Sequence, residues 1–154
     1  MSKVARAARN ASLMRVETIT PSADGTVASP TKTIADAETG EVYFVDVSSN
    51  TVAVVLPTPR AGMYFKFIMA TASDNEDTKD FILATSADSF DFGGAVNDGG
   101  GLVEITANTS KITLDASDAA ITVGDFIECV SDGTDWYVSG QIFNDGLFEI
   151  ADAR

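Results

Sequence analysis

The sequence predicts an all-β fold, a single antiparallel β-sandwich or barrel of jelly-roll type with an extended N-terminal arm. About ten or eleven short segments alternate apolar and polar residues with a period of two, which is typical of half-buried strands. Turn-forming Gly, Asp, Asn and Pro separate these segments at intervals of roughly 8 to 12 residues. No convincing core helix is predicted, and 154 residues fit one domain.

Residues 119–140 give the clearest pattern, which predicts three strands joined by two tight turns. Gly-Asp at 124–125 and Asp-Gly at 132–133 accept the positive φ angles that tight hairpins need. Trp136 and Tyr137 are adjacent in the third strand, so their side chains must point to opposite faces. Trp136 is predicted to pack in the core, because burial of so large a ring stabilises a small β domain.

The remaining strands follow in order along the chain. In one of them Phe65 and Phe67 share the core face, while Lys66 marks the wetter face. Residues 86–101 are rich in glycine and aspartate and are predicted to form a loop, with Phe90 and Phe92 at strand spacing. The predicted strands lie around residues 16–20, 31–34, 42–47, 51–56, 63–69, 81–84, 102–106, 112–114 and 147–150.

The predicted domain organisation has three parts. Residues 1–15 form a flexible basic arm, residues 16–140 form the β domain, and residues 141–154 form a C-terminal extension. The arm has a weak, mostly alanine apolar stripe that is marginal as an isolated helix. The extension is interpreted either as an extra strand that clasps a neighbouring molecule or as a simple tail.

The charge of the chain is unevenly distributed. The net charge is −13, yet residues 1–16 hold four basic residues and no acid, while residues 17–154 hold 6 basic and 23 acidic residues. Residues 17–154 are acidic enough to repel phosphate backbones. We therefore expect no nucleic-acid binding by the domain. The arm itself has three interpretations: a disordered tail, a nucleic-acid contact, or a strap that docks on a neighbouring acidic surface. The acidity of the body favours the strap.

The sequence carries no catalytic signature. It has no His, and its single cysteine, Cys129, lies in an alternating strand where a small packed residue is expected. Gly99 to Gly101 do not open a helix and precede no Lys-Ser or Lys-Thr, so no phosphate loop is predicted. No apolar run has the length of a signal peptide or the roughly 20 residues that span a bilayer, so we expect no membrane partner. We therefore expect a non-enzymatic protein without a cofactor.

The acidic loops raise the question of a cation site. Oxygen ligands on flexible loops suit calcium, but neither loop has the spacing of an EF-hand or of the glycine-rich calcium repeats. The preferred interpretation is that these are solvated turn residues, so no metal is predicted. One group comprises Asp88, Asp91, Asn97 and Asp98, and the other Asp74, Asn75, Glu76 and Asp77.

The segment from Asn50 to Gly140 resembles a recurrent module of tailed-bacteriophage structural proteins. The resemblance covers roughly ninety residues, and the order of the matching pieces is its distinctive part. The pieces are Leu56-Pro57, Ala61-Gly62, Phe65 and Phe67, Ile82, Phe92-Gly93-Gly94, Ile112-Thr113-Leu114, Gly124-Asp125-Phe126-Ile127, and Ser131-Asp132-Gly133-Thr134-Asp135-Trp136-Tyr137-Val138.

This resemblance implies a capsid decoration (cement) protein or head fibre, usually trimeric, on the outer surface of the virion and assembled in the host cytoplasm. The implied partners are the major capsid protein and further copies of the chain. The arm is expected to make the capsid or neighbour contact and to become ordered on binding. The alternative is a tail or head-fibre domain that binds a receptor or glycan through exposed rings near Trp136, Tyr64 or Tyr43. The predicted contact residues of the arm are Lys3, Arg6, Arg9, Leu13, Met14 and Arg15.

Overall fold

A computed structural model describes residues 15–74, 79–87, 89–117 and 119–152. Twelve strands and one short 3-10 helix, Asp36–Glu38, form the described chain. None of the described residues belongs to a helix that is long and apolar enough to cross a membrane. The strands are β1 Arg15–Ile19, β2 Lys32–Thr33, β3 Glu41–Val45, β4 Val52–Val55, β5 Tyr64–Met69, β6 Phe81–Ala84, β7 Phe92–Asp98, β8 Gly101–Ile105, β9 Lys111–Leu114, β10 Phe126–Ser131, β11 Trp136–Ile142 and β12 Phe148–Ala151.

The strands form two packed sheets, which confirms the predicted all-β sandwich. The seven-stranded sheet has the order β1-β3-β5-β10-β11-β7-β8, and the five-stranded sheet has the order β12-β9-β6-β4-β2. The strands are divided between two separate sheets, so the sandwich alternative describes the fold and the barrel does not.

The predicted antiparallel pairing is wrong for half of the sheet contacts. From β1 to β6 successive strands alternate between the two sheets. Each strand therefore runs in the same direction as the previous strand of its own sheet. Parallel ladders result, with β1 on β3 and β3 on β5 in one sheet, and β2 on β4 and β4 on β6 in the other. Later strands pair antiparallel except β11 with β7. This crossing between layers departs from a jelly roll, whose strands run antiparallel.

The core lies between the sheets and is centred on aromatic rings. Phe67 of β5 stacks on Tyr43 of β3, with ring centroids 5.3 Å apart, and meets Phe81 of the other sheet at 5.6 Å. Trp136 is fully buried and lies 5.7 Å from Phe65. The predicted inward parity of Phe65 and Phe67 and the core position of Trp136 are therefore confirmed.

Cys129 is also buried in this core, as a small packed residue. Burial and the nearby charge of Glu128 raise the pKa of the Cys129 thiol well above its usual range. The thiol therefore stays protonated and acts as an apolar packing group.

The predicted hairpin is confirmed in its second half. β10 and β11 pair antiparallel, and Gly133 takes a positive φ of 108° in the turn between them. The predicted first strand of this meander does not form. The Ile121 N–H donates instead to Ser73 Oγ at 2.9 Å and the Thr122 N–H to Asp125 Oδ2 at 2.8 Å, so these backbone groups take side-chain partners outside any sheet ladder.

Strand β7 occupies the stretch predicted as a glycine-rich loop. It pairs parallel with β11 and antiparallel with β8, so it lies inside the sheet. Gly94 has φ of 111°, and a Cβ at this position would overlap the carbonyl oxygen of Val138 on β11. Glycine is needed here because the two backbones approach closely. The low strand propensity of glycine is the reason that the sequence predicts a loop at this position.

The predicted domain boundaries also need correction. Arg15 is the first residue of β1 and pairs with Glu41, so it belongs to the sheet and not to an arm. β11 runs through the boundary predicted at residue 140. β12 pairs with β9 within the same chain, so the described part of the predicted C-terminal extension is part of the sandwich.

Candidate interaction surface

The side of the seven-stranded sheet that faces away from the core is a candidate interaction surface, here called the outer face. Its centre consists of the outward residues of β5, β10 and β11, which alternate with buried core residues. The strand register places them in rows across the sheet. One row joins Tyr64, Val130 and Tyr137, and the next joins Lys66, Glu128 and Ser139.

The outer face carries exposed apolar side chains. Val130 is 46% exposed, and Tyr137, directly opposite it on β11, is 52% exposed. Leu102, on the edge strand β8, is 76% exposed. These residues lie on one sheet surface in place of the polar residues that usually face water on a half-solvated sheet. Val130 and Tyr137 form a directly paired exposed apolar group, and exposed apolar patches are typical of protein–protein contact sites.

The polar groups at the centre of the outer face satisfy one another. Glu128 accepts hydrogen bonds from Tyr64 Oη at 3.1 Å and from Ser139 Oγ at 3.2 Å. Lys66 Nζ lies 3.5 Å from Glu128 Oε2 and 4.0 Å from the centroid of the Phe126 ring. Partial burial and the charge of Glu128 raise the pKa of Tyr64. Because its charge is already paired, this centre can be covered by a partner at a lower desolvation cost than isolated charges.

The opposite side of the sandwich offers a different surface. Ala53 and Ala84 point away from the core on β4 and β6, yet both are buried. Residues of the preceding loop lie over this sheet: Gly25 N–H donates to Thr51 O at 2.8 Å, and Ala53 N–H donates to Thr31 Oγ1 at 3.1 Å. Part of the five-stranded sheet is therefore already covered by the chain itself.

A cluster of three carboxylates joins the two sheets at the β1 edge. Glu17, Glu38 and Glu41 have carboxylate oxygens within 4.8 Å of one another. Lys32 Nζ lies among them, 2.9 Å from Glu17 Oε2 and 2.8 Å from Glu38 Oε1. Burial opposes the charge of Lys32, but its hydrogen bonds with Glu38 and Glu17 outweigh that effect and raise its pKa. The ammonium group thus supplies the positive charge that a metal ion would otherwise bring.

The predicted contact residues of the arm fall almost entirely outside the described part of the chain. Only Arg15 is described, and its Nη1 donates to Ala37 O at 3.0 Å and lies 3.5 Å from Glu41 Oε1. The others are Lys3, Arg6, Arg9, Leu13 and Met14.

Two of the three rings proposed for a glycan platform are unsuitable. Trp136 and Tyr43 are fully buried, and Tyr64 is only partly exposed. The exposed ring on β11 is that of Tyr137, whose hydroxyl donates to Asp132 Oδ2 at 3.2 Å. This outward direction agrees with the predicted opposite orientations of Trp136 and Tyr137.

The acidic loops have partly different roles from those predicted. Asp91 accepts from Asn108 N–H at 3.3 Å, and Asp74 pairs with Lys79 at 2.8 Å, as turn and surface residues do. Asp98 is not a solvated turn residue, because it is only 4% exposed at the end of β7. Residues 75–78 and Asp88 lie outside the described chain.

No protein-family model and no curated protein matches the sequence.

Proposed function

We propose that this chain is a non-enzymatic virion structural protein that binds the outer surface of a phage capsid and stabilises it. The observation that carries the proposal is the outer face, where the exposed apolar pair Val130 and Tyr137 lies beside one internally paired charged centre. Aromatic groups with few charged residues are typical of the cores of protein–protein interfaces. The resemblance to phage structural modules and the basic arm on an acidic body support the same function.

The outer face is proposed to bind further copies of the chain, giving a trimer. Seven strands spaced about 4.8 Å apart, with about six residues each, make a surface of roughly 30 by 20 Å. This is of the same order as the roughly 800 Å² that each partner buries in a stable protein–protein interface. Tyr64, Val130 and Tyr137 lie in one row and would form the apolar centre of that contact.

Insertion of a charge into this row tests the trimer. We expect Val130→Glu to weaken association at least about tenfold, because a second carboxylate beside Glu128 would be buried without a partner. Sedimentation equilibrium would show the mass falling from trimer to monomer at a fixed concentration. Thr33→Glu, an exposed position on the other sheet, is the matched control and should remain trimeric. Wild-type protein that is monomeric both in solution and on shells would contradict the proposal.

The arm is proposed to bind the major capsid protein. Its basic residues precede Arg15, which starts the edge strand β1 of the seven-stranded sheet. An arm leaving this edge can reach beyond the outer face to an adjacent capsid subunit while the face holds neighbouring copies. Many copies binding in this way would stabilise the expanded shell by mass action, because each binds the assembled shell and not its separated subunits.

Co-sedimentation with capsids tests the function directly. We expect saturable binding of the full chain to expanded, undecorated capsids of its phage and none to unexpanded procapsids. Deletion of residues 2–14, which leaves β1 intact, is expected to weaken binding at least about tenfold. A variant with Lys3, Arg6 and Arg9 changed to Gln separates the contribution of charge from that of the rest of the arm. Unchanged binding by the deletion variant would contradict the role of the arm, and no binding by the full chain would contradict the function.

A second candidate function is glycan recognition by an exposed fibre or tail domain. An open cavity of about 260 Å³ lies beside the Tyr137 ring and is lined also by Asp91, Ile105 and Asp135. Gly93 leaves the flank of the ring accessible, since a Cβ there would lie in van der Waals contact with the ring, 3.8 Å from its nearest carbons. An aromatic face with nearby carboxylates can stack on a sugar and accept its hydroxyl hydrogen bonds.

Binding of host surface oligosaccharides, measured by calorimetry, tests this alternative. We expect Tyr137→Ala to abolish binding if the glycan function is correct. Phe143→Ala, which removes another exposed ring, is the control. The proposed trimer would cover Tyr137, so oligosaccharide binding by intact trimers would contradict the proposed use of the outer face.

A further inference from the structure

Three segments of the chain meet beyond the ends of β7 and β11. They are the β7–β8 hairpin at 98–101, the turn at 122–125 that precedes β10, and the loop at 143–146 that follows β11. Backbone hydrogen bonds link the hairpin to β11, with Gly99 N–H donating to Ile142 O at 2.9 Å. These three segments do not include the residues at the centre of the outer face or those of the cluster formed by Lys32, Glu17, Glu38 and Glu41.

Two buried carboxylates bind the backbone of the same loop. Asp125 is fully buried, and its Oδ1 accepts from Phe143 N–H at 2.9 Å. Asp98 is 4% exposed, and its Oδ2 accepts from Gly146 N–H at 3.1 Å. Both side chains are therefore directed at the loop 143–146. None of the ion pairs found among the described residues involves either carboxylate.

The second carboxylate oxygen of Asp98 differs from the first in its hydrogen bonding. Asp98 Oδ1 is buried and has no hydrogen-bond partner among the described residues. A buried polar atom left in this state costs about 1 to 3 kcal/mol, and more when it is charged. Asp125 does not relieve it, because its own oxygens accept from Thr122 and Phe143 N–H groups. A positive group bound at Asp98 Oδ1 would remove this cost.

The electrostatics of the pair point in the same direction. Burial raises the pKa of Asp125, the hydrogen bonds from Thr122 and Phe143 oppose that shift, and the negative charge of Asp98 adds to it. The buried Asp125 carboxylate therefore lies close enough to Asp98 to be affected by its charge. A cation between them would convert this repulsion into attraction.

The loops are packed too closely for a large ligand. A Cβ on Gly99 would overlap the backbone of residues 143–145, and a Cβ on Gly100 would overlap the carboxylate of Asp145. This close packing favours a small ion, and the two side chains offer it carboxylate oxygens. Calcium accepts six to eight such oxygens in flexible geometry, whereas magnesium demands a nearly ideal octahedron.

We propose that Asp98 and Asp125 form a site for a hard divalent cation, calcium in preference to magnesium. Asp98 Oδ1 is the anchoring ligand, Asp125 the second carboxylate, and backbone carbonyls and water complete the coordination. The ion fixes the β7–β8 hairpin to the loop 143–146. The Glu17, Glu38 and Glu41 cluster is not such a site, because Lys32 already lies within it.

Calorimetric titration of chelator-treated, full-length protein with calcium chloride tests the proposal. We expect one ion per chain and a higher melting temperature in calcium than in chelator, with a weaker response to magnesium. Absence of both heat and stabilisation at about 5 mM calcium, above the weakest dissociation constants of extracellular calcium modules, would overturn the proposal. In amide NMR spectra of the wild type, calcium should shift signals of residues 98–101, 122–125 and 143–146. Shifts confined to other regions would overturn it as well.

Asp98→Asn provides the matched variant, since it keeps the shape of the side chain and removes its charge. We expect it to lose calcium binding and, in chelator, to melt at a higher temperature than wild type because an unpaired buried charge is gone. Glu104→Gln, an exposed change of equal charge on β8, should bind calcium as wild type does. Wild-type calcium affinity in Asp98→Asn would refute the assignment. If this variant does not fold, the NMR titration of the wild type decides the question.

Discussion

Phe67→Ala is expected to lower the free energy of unfolding by about 4 kcal/mol, the usual cost of truncating a buried phenylalanine. Phe67 is fully buried, stacks on Tyr43 and touches Phe81 of the facing sheet. Its ring therefore joins the two layers at the centre of the sandwich. Alanine would leave a cavity there, because the sheets on both sides are held by strand pairing and cannot collapse to fill it.

Equilibrium denaturation in urea, followed by the fluorescence of Trp136, measures this loss. All variants need the same protein concentration, because association also adds to apparent stability. Phe143→Ala removes the same ring from a position that is 54% exposed and should cost less than about 1 kcal/mol. Equal losses in the two variants would show that Phe67 does not bridge the layers as described.

Lys32→Met is expected to lower the free energy of unfolding by about 2 to 3 kcal/mol. Lys32 has only 17% of its side chain exposed and pairs with both Glu17 and Glu38. Loss of the ammonium group would leave three carboxylates close together, with only the exposed Arg15 guanidinium beside one of them, 3.5 Å from Glu41 Oε1. Breaking a buried pair in this way typically costs about 3 to 5 kcal/mol, and partial exposure of the glutamates reduces that figure.

Urea denaturation of Lys32→Met beside Lys111→Met tests this expectation. Lys111 lies on β9 and its replacement changes the net charge equally, so the comparison isolates the local pairing. The double variant Lys32→Met with Glu38→Gln should recover part of the loss, because it removes one of the repelling charges. A Lys32→Met variant as stable as Lys111→Met would refute this account of the cluster.

Local sequence patterns were sufficient to predict much of the fold. The alternation around Phe65 and Phe67 identified an inward face, and Asp132-Gly133 located the β10–β11 turn. These are short-range properties, because side-chain parity and turn conformation depend on neighbouring residues. The strand β7 was missed because its Phe-Gly-Gly opening has low strand propensity, and only the approach of β11 explains the glycine.

Strand direction could not be predicted in the same way. Whether β3 runs parallel to β5 depends on the chain crossing to the other sheet through β4, and no local pattern records that crossing. Turns that look suitable for hairpins can equally carry the chain between layers. The predicted antiparallel pairing is therefore wrong where successive strands of the chain lie in different sheets.

The candidate sites depend on residues that are distant in the sequence. Tyr64 on β5 donates a hydrogen bond to Glu128 on β10, and Asp98 accepts one from the N–H of Gly146. The partners are far apart in the sequence, so neither site has a sequence motif. Asp98 was interpreted as a solvated turn residue because aspartate beside glycines usually is one. Its burial follows from the later loop folding over it, which parity and composition do not describe.

The parallel pairing of β1 with β3 determines how the domain would bear mechanical load. Five residue pairs join these strands from Arg15 to Ile19, and residues 1–14 continue directly from the start of β1. Tension can reach β1 through residues 1–14, and it can be applied along the axis of the strand. The hydrogen bonds of all five pairs would then be loaded together in shear, which resists rupture better than peeling them apart one at a time.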